Sequence, residues 1–139
     1  MRDAFDGVVD VMTRNVGPRP TASTSSLPHP PPRAVPKHPL SLLNGCSAAN
    51  VKLIVQGIED AIEIGAPLYN DGKLEACYRI YEGAALELQR KLSGCAGPKS
   101  ALGVGLREAQ KRKSYADKAW AMRDAFDGLL DTIERKFIN

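Results

Sequence analysis

The 139 residues are 43% hydrophobic and 25% charged, the balance of an ordinary globular domain with a core of modest size. A net charge of +3 is too small to mark a nucleic-acid binder, and no apolar run approaches the roughly 18 residues that span a membrane. The first residues carry Arg2, Asp3 and Asp6 with no apolar h-region, so they do not read as a secretory signal.

Residues 1–14, MRDAFDGVVDVMTR, read as an amphipathic helix with Met1, Phe5, Val8 and Met12 on one stripe. Residues 122–135, MRDAFDGLLDTIER, repeat the phrase at nine of fourteen positions, and the stripe stays apolar. One explanation is a truncated tandem duplication. Residues 1–14 would then be the last helix of an upstream copy, in a chain cut from a longer precursor. The other is an internal duplication of one helix that has acquired its own role. A helix of this length is marginal alone in water. Phe5, Val8 and Met12 are therefore expected to bury against something. That surface is the outer face of the first two bundle helices, a protein partner, or the equivalent site of another copy by helix exchange.

Residues 15–45 form a proline-rich linker. Eight of the ten prolines fall between 15 and 39, and no Asp or Glu occurs between Asp10 and Glu59. Proline fixes φ and lacks the backbone donor, so the stretch is expected to be extended and not helical. LPHPPPR, residues 27–33, fits the form read by SH3-type grooves, with Pro28 and Pro31 on one ridge and Arg33 aimed at an acidic pocket. A plain spacer, or a strap lying along a large neighbour, explains the same composition.

Residues 46–139 read as a helical bundle domain. Ser47 is a candidate N-cap, and Val51, Ile54, Val55, Ile58, Ile62 and Gly65 recur at helical spacing. Asn70-Asp71-Gly72 signals a turn. Leu74, Cys77, Tyr78, Tyr81, Ala84, Ala85, Leu88 and Leu92 mark a second helix, with Gly94 as its C′ residue. Pro98 can open a third helix, striped by Leu102, Leu106 and Ala109. Ser114 can cap a fourth, whose face is Ala119, Met122, Phe126, Leu129, Ile133 and Phe137. No segment alternates with period two. The expected fold is all-α, a four-helix antiparallel bundle or two stacked helical hairpins, with a detached N-terminal helix and a Pro-rich arm.

The segment AIEIGAPLYNDGKLEACYRIYEGAALEL resembles a tetratricopeptide repeat through Gly65, Gly72, Cys77, Tyr81 and Ala84. It departs from that pattern at Leu68, where an aromatic is usual, and in having no proline to close the second helix. The stretch is also similar to segments of uncharacterised bacterial and plastid-lineage helical proteins. The resemblance implies a helical hairpin packed through small residues, and binding in place of catalysis.

Three cysteines are present. They match no zinc spacing, and both His residues sit in the linker. Cys77 falls on a core face and reads as a buried thiol. Cys46 lies 25 residues before Asp71 (71 − 46) and Cys95 lies 24 after it (95 − 71). Antiparallel helices of equal length would bring these two together, so they form a candidate disulfide. A bond would point to an oxidising compartment, the plastid or another.

Asp124, Asp127 and Asp131 form one stripe, and Asp3, Asp6 and Asp10 repeat it. The expected role is a solvated face paired with Arg107, Lys111 or Lys118. A metal or acid/base site would need Glu59, Asp60 and Glu63 to converge on it. The basic cluster at 107–118 lacks interleaved aromatics, so it is expected to be a solvated helix end and no nucleic-acid site. No nucleophile elbow, P-loop, GxGxxG or HExxH occurs. The sequence therefore predicts no catalytic residue, no cofactor and no metal ligand. It predicts a non-enzymatic interaction or scaffold subunit of a larger protein assembly. Phe5, Val8, Met12, Pro28, Pro31 and Arg33 are the candidate partner-binding residues. The alternative is a small-molecule or pigment-binding bundle, using space between Tyr69, Tyr78, Tyr81, Trp120 and Phe126.

Overall fold

A computed structural model describes residues 27–137. The helix expected at 1–14, with Phe5, Val8 and Met12, lies outside the described residues.

Among the described residues, four α-helices follow a 3₁₀ turn, Leu40–Leu43. They are α1 (Ala48–Asn70), α2 (Leu74–Lys91), α3 (Ala96–Lys111) and α4 (Tyr115–Phe137). Among the described residues there is no strand. Side-chain caps start two of the helices. Ser47 Oγ accepts from the Asn50 N–H at 3.0 Å, and Ser114 Oγ accepts from the Asp117 N–H at 3.0 Å. Gly72 at φ +83° ends α1, where a residue with a Cβ would be strained.

Consecutive helices are antiparallel. Along α1 and α2, Gly65 faces Tyr81 and Gly57 faces Leu88. Along α3 and α4, Gly105 faces Ala125 and the Ala109 carbonyl accepts from Lys118. Two hairpins result, α1/α2 and α3/α4, and they pack chiefly through α2 on α4. Tyr81 is the joint between them. It is 3% exposed, its ring lies 5.6 Å from Phe126 edge to face, and Gly65 leaves it room on α1. Ile54, Ile58, Leu102, Met122 and Leu129 complete a core at 0% exposure.

The structure corrects two boundaries of the core. Phe137 is 57% exposed, because it sits in the last turn of α4, beyond the neighbours that cover Ile133. Leu43, assigned by composition to the linker, is 3% exposed and packs in the core. The 3₁₀ turn lies against α3 and α4, and Gly97 admits it: a Cβ there would stand 2.0 Å from the Leu42 carbonyl oxygen. No described helix is long and apolar enough to cross a membrane.

Candidate functional site

Two features stand out on this scaffold. The first is the seat of the proline-rich arm on α4. Arg33 Nε donates to Asp124 Oδ1 at 2.6 Å, and its Nη2 donates to Asp127 Oδ2 at 2.6 Å. The Ala34 N–H donates to the other Asp124 oxygen at 3.1 Å. Pro36 lies on Gly128, where a Cβ would come within 2.9 Å of its carbonyl oxygen. Arg135 Nη2 donates to the His38 carbonyl at 2.6 Å. The match has a simple geometric cause. Five residues of polyproline-like chain from 33 to 38 rise about 16 Å, and eleven helical residues from 124 to 135 rise about the same.

Over its described part the arm is therefore strapped to its own bundle. This corrects the expected partners of the acidic stripe. Asp124 and Asp127 pair with Arg33, Asp127 also with Arg123, and Asp131 with Arg135. Lys111 instead pairs with Glu108, and Lys118 donates to the Ala109 carbonyl. The reason is that α4 turns this stripe away from α3 and toward the arm. Of the SH3-like string, Pro28 is exposed and Pro31 half-buried, while Arg33 is held by the two aspartates and stacks 5.0 Å over Trp120. Each α4 residue holding residues 33–38 within the repeat, Asp124, Asp127, Gly128 and Arg135, recurs in register at Asp3, Asp6, Gly7 and Arg14.

The second feature is an open groove of about 340 Å³ along α1 and α2, on a face that none of the arm residues lines. Its floor and walls are small or apolar, with Gly57, Ala61, Ile80 and Ala84 among them. Leu53 stands on its wall at 36% exposure and Ile64 at 54%. Asp60, Glu87 and Lys91 supply its charges. Apolar side chains thus stand at both ends of the trough, with small ones between. Helical spacing could have revealed Leu53 and Ile64 as apolar residues off the core stripe of α1.

Cys46 and Cys95 are joined by a disulfide with Cα atoms 4.5 Å apart. It closes the α1/α2 hairpin at the end opposite its turn. Asn50 reinforces that end, donating from Nδ2 to the Ser93 carbonyl at 2.7 Å. Gly45 at φ +84° and Gly94 at φ +71° let the two backbones meet there, since a Cβ on Gly45 would stand 2.8 Å from the Gly94 oxygen. Cys77 is a buried free thiol, pushed up to about 11 by burial, with a Tyr81 hydrogen bond and Arg123 acting the other way. At neutral pH it is no nucleophile.

Among the described residues no three His, Cys, Asp or Glu side chains converge as metal ligands would, and Glu59, Asp60 and Glu63 lie exposed on α1. The aromatics considered for a ligand pack on one another. Trp120 Nε1 donates to the Tyr69 hydroxyl at 3.1 Å, Tyr81 meets Phe126, and Tyr78 meets Tyr115 with ring centroids 6.1 Å apart. None of the five lines the groove.

Comparison of the chain with models of protein families, with curated proteins and with solved structures yields no match.

Proposed function

We propose that this protein is a non-enzymatic interaction or scaffold subunit of a larger assembly, and that the α1/α2 groove receives an amphipathic helix. The observation that carries this reading is the trough itself. It is open along two antiparallel helices, small and apolar along its middle, rimmed by the exposed Leu53 and Ile64, and edged by Gln56, Asp60, Glu87 and Lys91. Such grooves bind helices by taking side chains at i, i+3, i+4 and i+7. The likeness of this hairpin to a tetratricopeptide repeat supports the same reading. The rigid base helps: the disulfide holds one end of the hairpin, and Trp120 with Tyr69 ties the other to α4. A disulfide also supports residence in an oxidising compartment.

The test is native purification of the wild-type chain beside Leu53→Glu and Ile64→Glu variants. Other protein chains are expected to travel with the wild type, with cross-links at Lys91 on the groove and at Lys52 near its rim. Both variants are expected to lose those chains while keeping wild-type helical circular dichroism. Retention of the same chains by folded variants would refute the groove as the docking surface.

A further inference from the structure

We infer that the helix received by the α1/α2 groove belongs to a partner protein and carries a short row of Lys or Arg beside its apolar stripe, seated along α1 at the Ile64 end. The inference rests on reading the groove as helix-binding, and it names the chemistry of the partner.

The two walls of the trough differ in charge. On α2 three carboxylates, Glu75, Glu82 and Glu87, stand against three cations, Arg79, Arg90 and Lys91. They are paired on the helix itself: Glu75 and Glu82 with Arg79, Glu87 with Arg90 and Lys91. A side chain arriving on that wall meets charges already answered. On α1, Glu59, Asp60 and Glu63 stand against Lys52 alone. Among the described residues no ion pair involves any of these three carboxylates. The acidity is local, since the chain as a whole carries a net charge of +3.

Placement ties the carboxylates to the trough. Asp60 lines it between Leu53 and Ile64. Glu63 lies three residues beyond Asp60 and four beyond Glu59, so the three are neighbours on one helix surface, and all are exposed. Residues 59–63 span about 6 Å of axis, close to one turn. Like charges at this spacing repel, so the bare row weakens α1 and a cation laid against it relieves the repulsion. Packed helices lie with their axes about 8–10 Å apart, so the flank of a helix in the trough stands within side-chain reach of Asp60 and Glu63.

The other end limits the row. Lys52 is exposed beside Leu53, and Lys91 lines the groove at that end from α2. A helix basic along its whole length would press cations against these two lysines. The complement is a helix basic at one end, where its apolar stripe meets Ile64.

The experiment titrates the full chain with two synthetic amphipathic helices that share a Leu stripe at i, i+3, i+4 and i+7. One carries Lys on the flank of the stripe at one end, and the other carries Glu at the same positions. Fluorescence anisotropy reads the binding. The Lys helix is expected to bind roughly ten-fold tighter at low ionic strength, the scale of two or three exposed ion pairs. The preference should shrink near about 1 M salt, where the Debye length is about 3 Å. Asp60→Lys combined with Glu63→Lys is expected to reverse the preference. Asp60→Asn combined with Glu63→Gln is expected to abolish it, and Leu53→Glu to weaken both helices alike. Equal affinities in the wild type, or tighter binding of the Glu helix, would overturn the basic row while leaving the groove a helix site. A preference for Lys that survives both double variants would overturn the assignment to Asp60 and Glu63. Binding of neither helix would overturn the groove as an open helix site, and this inference with it. Sedimentation of the chain alone completes the test: a dimer that Leu53→Glu dissociates would assign the groove to a second copy and overturn the separate partner.

Discussion

Arg33 Nε lies 2.6 Å from Asp124 Oδ1, although 91 residues separate the two in the chain. This ion pair turns a proline-rich stretch into a strap. Asp124 has a side chain only 10% exposed, and its other oxygen is taken by the Ala34 N–H. Arg33 is 41% exposed, so solvent screens part of the attraction. Arg33→Ala is expected to cost about 1–2 kcal/mol, less than a fully buried pair would. It should also free the arm. Urea denaturation measures the first effect, and limited proteolysis near residues 27–36 the second. An arm no more cleavable in the variant than in the wild type would contradict the strap.

The disulfide invites a thermodynamic test. Joining positions 49 apart removes loop entropy from the unfolded chain worth about 4 kcal/mol in the chain-entropy model. Thermal unfolding of Cys95→Ser beside the wild type is expected to show a loss of that order, and reductant should lower the wild-type midpoint but not the variant's. Cys77 should resist alkylation until the chain unfolds, since it is 1% exposed and its thiol is raised to about 11. Rapid labelling of Cys77 in the folded protein would count against this arrangement.

Two glycines on facing helices should respond oppositely to alanine. Among the described residues nothing lies within 4 Å of a Cβ added at Gly83, so Gly83→Ala should stabilise α2 by about 0.5–1 kcal/mol. At Gly65 the added carbon would stand 2.4 Å from Tyr81 Cε1, and Tyr81 is the joint between hairpins. Gly65→Ala should therefore destabilise by about 1–3 kcal/mol. Equal effects at the two sites, read from denaturation midpoints, would mean that Tyr81 can shift freely.

His38 makes stability depend on mild acidity. Its Nε2 is buried, with no hydrogen-bond partner among the described residues. Burial first, and then Arg135, hold the imidazole below its usual value, with Asp131 pulling the other way. The unfolded chain therefore binds the proton more readily than the folded one. Stability from this group is complete above the unfolded value of 6.5 and is lost as pH falls from there toward the lower folded value. His38→Gln should flatten the fall in urea midpoint between about pH 7.5 and about pH 5.5. Parallel curves for wild type and variant would show that His38 titrates alike in both states.

The helices themselves were legible before any coordinates. Ile54, Ile58, Cys77, Tyr81, Leu88, Leu102, Met122, Phe126 and Leu129 recur at three- and four-residue spacing, and all are buried. Caps and turns are equally local, so Ser47, Ser114 and Gly72 mark their own positions. Local hydrogen bonds and periodic burial are properties of a few neighbouring residues, and a sequence displays them directly. The arm was a different matter. Arg33 carried the features of a ligand for some other protein's acidic pocket, and Asp124 those of a solvated stripe. Only packing α4 with that stripe outward, beside an extended chain whose rise is about twice that of a helix, brings the two together. The groove follows the same logic. Leu53 and Ile64 are ordinary apolar residues until the α1/α2 crossing leaves Gly57, Ala61 and Ala84 as a floor between them. Which charged groups meet, and which apolar ones stay uncovered, depends on how distant segments are set against each other, and no local spacing encodes that.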